Sequence, residues 1–151
     1  MTLGTLARWL ATLGPVGLSP VAPGTMGTLV AVAVVGLAPI STQTYLALLL
    51  AATLIGTAAA HRAEREMGRK DPGAIVIDEF AGYMVAMLWL PATWPWLLAS
   101  FVLFRVLDIF KPWPIGKLQD LKGGLGIMAD DLAAGALANA ALQIWMRYFV
   151  Q

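Results

Sequence analysis

From Trp9 to Ala60 the chain carries no charged side chain. A soluble domain devotes roughly a quarter of its residues to Asp, Glu, Lys and Arg, because its surface must face water. Here charged residues make up 13% and hydrophobic residues 59%, so much of the surface faces lipid or partner protein. The pattern predicts an all-α fold, a small multi-helical integral membrane protein. The length suits a single domain over residues 1–151.

Within the uncharged span, "TLVAVAVVGLA" (Thr28–Ala38) and "TYLALLLAATLIGTAAA" (Thr44–Ala60) flank the turn signal "PISTQ" (Pro39–Gln43). They predict a helical hairpin. A full crossing needs about 20 residues, so the first arm is short: it is either re-entrant or extended by residues before Thr28. After the polar block His61–Asp78, a second hairpin is expected from "FAGYMVAMLWL", "PATWP" and "WLLASFVLF", with Trp89, Trp94 and Trp96 at its tip as an interfacial belt. Glu66 and Lys70, four apart in that polar block, suit a wet helical turn. A second polar block, Arg105–Asp131, precedes a C-terminal membrane helix over Leu132–Val150.

Each hairpin goes out and returns, so Ser19–Gly27, His61–Asp78 and Arg105–Asp131 are expected on one side. Arg8, Arg62, Arg65, Arg69, Lys70, Lys111, Lys117 and Lys122 face that side, against Arg147 alone on the other. The positive-inside rule makes the charged side cytoplasmic. The N-terminus does not read as a cleavable signal peptide, because "WLATLGPVGLSPVAPG" is broken by Pro and Gly. A net charge of +1 leaves no basic footprint for nucleic acid. With no cysteine and His61 as the one histidine, cysteine-nucleophile and two-histidine mechanisms are excluded.

Two acidic pairs stand out. Asp78-Glu79 opens "FAGYMVAML", and Asp130-Asp131 opens "LAAGALANAAL". Helix capping accounts for one acid in each place but poorly for two, since the second carboxylate repels the first. A divalent cation held by carboxylates from separate helix ends accounts for both. In "FRVLDIFKPWPIG", Arg105, Asp108 and Lys111 are spaced by three before Pro112 stops the helix. They form either an interfacial salt-bridge ladder or a phosphate-recognition group. "GLSPVAPGTMGTL" offers Gly24, Thr25 and Gly27 as phosphate contacts through backbone N–H groups ahead of a helix, although a proline-rich lead-in loop is the plainer reading. It lacks the ending of a P-loop. His61 reads as an interfacial histidine.

Taken in order, "GLSPVAPGTMGTL", "DPGAIVIDEFAG", "FRVLDIFKPWPI" and "GGLGIMADDLAAG" resemble the phosphatidylglycerophosphatase A family, the bacterial membrane lipid phosphatases. The resemblance covers nearly the whole chain. It implies Mg2+-dependent hydrolysis of phosphatidylglycerol phosphate to phosphatidylglycerol and inorganic phosphate, in the inner membrane, by metal-activated water. The family's motifs fall on Asp71, Asp78 and Glu79, on Arg105, Asp108, Lys111 and Pro112, and on Gly123, Gly124, Gly126, Asp130 and Asp131. The site so implied has Asp78, Glu79, Asp130, Asp131 and Asp108 as metal ligands and Arg105 and Lys111 on the phosphate, with Asp131, Asp78 and Lys111 catalytic. Thr28 stands where relatives often carry serine. The alternatives are another membrane phosphotransfer enzyme, disfavoured because an Asp-Gly-x-x-Ala-Arg signature is missing, and a cation-binding or transport protein. Midplane acids would mark the transporter, whereas these acids gather at one interface.

Overall fold

The computed structural model describes residues 2–38 and 40–149. Pro39 of the expected turn and Val150 of the expected C-terminal segment lie outside the described residues. Six α-helices follow one another: α1 (Leu3–Ala11), α2 (Pro23–Leu37), α3 (Thr42–Met67), α4 (Ile77–Met87), α5 (Trp94–Phe110) and α6 (Gly124–Phe149). Short 3₁₀ turns at Val16–Leu18 and Ile115–Asp120 shape two of the loops. No strand occurs among the described residues, as expected.

Two helices, α3 and α6, are long and apolar enough to cross a membrane, each with 26 residues, or about 39 Å at 1.5 Å per residue. Only 17% of the apolar window of α3 is buried in the protein. Its outward face presents Leu46, Leu48, Leu50, Leu54 and Ile55, a surface that water would penalise heavily. The hairpin arms are shorter than a crossing. The first arm does extend before Thr28, back to Pro23, yet α2 has only 15 residues. In the second hairpin α4 has 11 residues and α5 has 17, so α4 reaches about 16 Å and cannot span a ~30 Å core.

Two boundaries differ from expectation. α3 continues through the charged block to Met67, where Gly68 closes it in the left-handed conformation. Lys70 therefore lies beyond the helix and does not face Glu66, which instead takes Arg62 at 3.2 Å. At the other end of the chain, α6 begins at Gly124 instead of Leu132. Glycine-rich sequence reads as loop, but here tight packing holds it helical: a Cβ on Gly124 would overlap the Thr57 carbonyl of α3.

The core forms where small residues let helices approach. Ala7 and Ala11 of α1 meet Ala59, Ala60 and Ala63 of α3, with Ile77 and Met128 beside them. A larger cluster gathers Tyr83, Met84, Met87, Phe104, Ala134 and Ala138 between α4, α5 and α6. The most extensive helix contact joins α4 to α6, where a Cβ on Gly135 would overlap the Gly82 carbonyl and one on Gly82 would lie 2.8 Å from the Asp131 carbonyl. These helices run parallel and in register. Asn139 donates to the Ala86 carbonyl across a separation of 53 residues, and the pairs Gly82/Gly135 and Asp78/Asp131 share that offset. Asn139 and Gln143 also donate to the Leu88 carbonyl at 2.8 and 3.1 Å. They satisfy carbonyls that the short α4 would otherwise leave unpaired in an apolar setting.

Gly135→Val is expected to destabilise the fold by about 1–3 kcal/mol or more through overpacking, read as a lower thermal midpoint in detergent. Gly73→Ala, where a Cβ meets nothing within 4 Å, should stay within about 0.5 kcal/mol of the parent. Equal midpoints for the two variants would refute the crossing.

Candidate functional site

The helix order sends the N-termini of α2 and α4, the first turns of α6 and the C-terminus of α5 to one end of the molecule. Loop contacts tie the same end together: the Val76 N–H donates to the Ala11 carbonyl at 2.9 Å, and Gly123 packs against His61. Gly24 in the first turn of α2 and the charged groups Asp78, Glu79, Arg105, Asp108, Lys111, Asp130 and Asp131 gather there.

Each acid arrives from a different piece of geometry. Val76 is the N-cap of α4 and makes no side-chain cap, so Asp78 and Glu79 sit in the first turn as inward-facing groups and not as caps. Asp130 and Asp131 do not begin α6 either. They lie in its second turn, nearly covered at 2% exposure each. Asp78 and Asp108 are 7% exposed. Burying a carboxylate costs several kcal/mol unless a partner compensates, so five acids in one place demand positive charge.

Part of that charge is built in. Arg105 holds Asp108 Oδ2 at 2.6 Å and approaches Glu79 Oε1 at 3.8 Å. Lys111 bonds Asp130 and lies 3.6 Å from Asp108 and 3.9 Å from Asp131. Its position depends on backbone geometry: Lys111 caps α5 with φ +43°, which turns its side chain back toward α6 just before Pro112. The i,i+3 ladder of Arg105, Asp108 and Lys111 thus forms, and from the cap position Lys111 also reaches Asp130 of α6. Burial works against its ammonium, but the hydrogen bond to Asp130 and the charges of Asp131, Asp130 and Asp108 outweigh it and push its pKa above the ordinary lysine value. In the loop before α4, Asp71 also has φ +45° and donates its N–H to Glu64 at 3.2 Å. Burial raises its pKa above the usual carboxylate range; the charge of Lys111 opposes that rise, while those of Asp130, Glu64 and Asp108 add to it.

The remaining acids are open to a cation. Ligand atoms of Asp78, Glu79 and Asp131 all lie within 4.8 Å of one another, close enough to share one metal ion. Asp78 Oδ1, Glu79 Oε2, Asp130 Oδ1 and Asp131 Oδ2 are buried without a hydrogen-bond partner. Such oxygens in a low-dielectric setting call for a hard cation, and an all-carboxylate donor set fits one. The acids thus divide in two: Asp108 and Asp130 engage the built-in cations, while Asp78, Glu79 and Asp131 form the metal-competent trio.

The proposed phosphate cradle also divides. Gly24 reaches the site, where a Cβ would overlap the Glu79 carboxylate and lie 3.3 Å from Arg105 Nη2. Thr25 follows it in the first turn of α2. Gly27 does not face the site. It closes against Val76, whose carbonyl oxygen would lie 2.9 Å from a Cβ there. Thr28 is buried and donates to the Gly24 carbonyl at 2.9 Å.

The sequence model of the phosphatidylglycerophosphatase A family matches residues 9–146. The chain belongs to that family. It is 41% identical to phosphatidylglycerophosphatase A of Escherichia coli K12 over 129 residues, covering 83% of this chain and 75% of the relative. The Haemophilus influenzae protein of the same name is 37% identical over 137 residues, 86% of this chain and 84% of the relative. A Bacteroides thetaiotaomicron protein provisionally named a phosphatidylinositol-3-phosphatase is 40% identical over 128 residues, 79% of this chain and 80% of the relative. No solved structure matches the chain. Family membership makes this chain a phosphatase.

Gly82 and Gly135 escaped the sequence reading, although a signal for them was present. In each acidic segment an aspartate is followed four residues later by glycine: Asp78 by Gly82, and Asp131 by Gly135. That spacing stacks each pair on one helix face, so joining the glycines aligns the acids.

Divalent cation should raise the thermal midpoint of the detergent-solubilised protein by on the order of 5 °C at a hundredfold excess over its dissociation constant. Asp78→Asn should remove most of that rise and leave the cation-free midpoint equal or higher, since one repelling charge is gone. A full cation-dependent rise in that variant would count against the trio.

Proposed function

We propose that this chain hydrolyses phosphatidylglycerol phosphate to phosphatidylglycerol and inorganic phosphate, with Mg2+ as cofactor, as one phosphatase domain. We place it in the bacterial inner membrane as a multi-pass protein with its site facing the cytoplasm. The observation that carries the reading is a buried carboxylate trio facing Arg105 and Lys111 at one end of an apolar bundle, in a chain of this family. The relative with the phosphatidylinositol-3-phosphatase name points to the same bond class, a phosphate monoester on a lipid headgroup. Orientation rests on the excess of Lys and Arg at the site end, and membrane placement on α3 and α6.

Asp78, Glu79 and Asp131 would hold Mg2+, with Asp130 and Asp108 alongside. Mg2+ bound there supplies positive charge against the phosphate and lowers the pKa of a water molecule. Arg105 and Lys111 bind the nonbridging phosphate oxygens, where charge develops as water attacks. Asp108 orients Arg105 through its 2.6 Å contact, and Asp130 orients Lys111. Backbone N–H groups at the start of α2, at Gly24 and Thr25, add donors at a helix N-terminus. Asp131 takes the proton of the attacking water on Oδ2, which has no other partner. The bond from phosphorus to the headgroup oxygen then breaks and that oxygen takes up the proton held on Asp131, leaving phosphatidylglycerol and phosphate.

Phosphate release from phosphatidylglycerol phosphate in mixed micelles should require Mg2+ and vanish with chelator. Asp131→Asn should lower turnover by about 10²–10⁴-fold, the contribution of a positioned proton acceptor, with membrane insertion intact. Lys111→Met should cost about 10²–10³-fold. Near-parental turnover in Asp131→Asn would remove that residue from the mechanism.

A further inference from the structure

The phosphate site occupies one end of the seam between α2 and α5, and that seam does not end there. Gly24 meets Arg105 at the site. Toward the opposite end of the bundle the same two helices meet again, where a Cβ on Gly36 would lie 2.8 Å from Leu97 Cδ1. Helical spacing joins the two points. Thr25, Leu29, Val32 and Gly36 follow one another at three- or four-residue steps along α2, as do Arg105, Phe101 and Leu97 along α5. Along this seam lies a cavity of about 380 Å³ lined by Leu29, Val32, Ala33, Gly36 and Leu97, with Trp94 at its far end. None of its lining residues is charged.

We propose that this seam holds an acyl chain of the phospholipid substrate while its phosphate sits at Arg105 and Lys111. The inference rests on the lipid-phosphatase reading given above and adds where the apolar part of the substrate lies. Three observations favour a lipid chain as the occupant. The groove is uncharged along its length and its seam leads at one end to Arg105, the proposed phosphate contact, which matches a phospholipid with an anionic head. It begins about 7 Å below Gly24 and extends to about 18 Å at Gly36, counted at 1.5 Å per residue, comparable to one leaflet of a ~30 Å hydrocarbon core. A second apolar cavity, bounded by Tyr45, Met87 and Leu90, is lined by none of the residues on the α2–α5 seam that runs to Arg105. Gly36 and Ala33 keep the groove open because neither carries a side chain large enough to fill it.

The test compares long-chain phosphatidylglycerol phosphate with its dihexanoyl analogue in parent protein and in Ala33→Trp, which fills the groove from an exposed position. Losing burial of about two methylenes at ~0.8 kcal/mol each lowers kcat/KM roughly tenfold. That loss is expected on the long-chain substrate alone, with the dihexanoyl rate within about twofold of parental. Leu54→Trp, on the outward face of α3, should leave both rates unchanged. Equal loss on both substrates, or on neither, would overturn the groove while leaving the phosphatase reading standing. Parent protein inert toward both substrates would overturn that reading and the groove with it. An independent readout uses phosphatidylglycerol with a photoreactive diazirine at the end of one acyl chain. Crosslinks on residues 29–37 and Leu97 support the assignment, whereas crosslinks confined to α3 oppose it.

Discussion

The contact of α4 with α6 at Gly82 and Gly135 is the constraint on which the rest of the structure depends. Two parallel helices can bring backbone this close only where neither presents a side chain. The shared register then places Asp78 beside Asp131, one turn nearer the site than the glycines. Carboxylates so aligned repel each other at short range in a medium that screens poorly. The crossing supplies packing energy that holds them there, and the trio of Asp78, Glu79 and Asp131 is close enough to share one cation that would offset the repulsion.

The other elements are arranged around that opposition. α5 contributes the end of a helix, where Arg105 points inward from the last turns and Lys111 turns back through a left-handed cap. α2 contributes an N-terminus whose first residues lack a side chain where Glu79 comes closest. The positive ends of α2 and α4 both face the acids, which eases their repulsion. Elsewhere in the bundle Tyr83 donates to the Leu97 carbonyl at 3.0 Å and Tyr45 to the Met84 carbonyl, and among the described residues no carboxylate oxygen is left buried and unpaired there. Unsatisfied carboxylate oxygens are thus concentrated at the site, where a ligand is needed.

Short helices beside long ones give the bundle an uneven depth. α3 and α6 run its full height, whereas α4 stops early and is capped by Asn139 and Gln143. The seam between α2 and α5 consequently runs from a charged end to an apolar one. A phospholipid has the same polarity along its length. Small residues at the helix contacts suit a setting in which lipid competes with protein for apolar surface, so that close backbone approach, and not burial alone, selects the packing.

Much of this was legible in the chain. The uncharged span Trp9–Ala60 dictated helices, because in an apolar medium the backbone must satisfy itself. The paired acids called for compensating charge, because adjacent buried carboxylates repel each other. The polar blocks His61–Asp78 and Arg105–Asp131 marked where the charge is concentrated. Tertiary structure alone decided where α6 begins, since Gly124 is helical only because α3 packs against it. It also decided which acids pair most closely with the built-in cations. Asp108 and Asp130 look no different in sequence from Asp78 and Asp131, and only the placement of Arg105 and Lys111 separates them. Residue type and local spacing are carried by the chain itself, whereas the partner of a charge is set by contacts between distant segments.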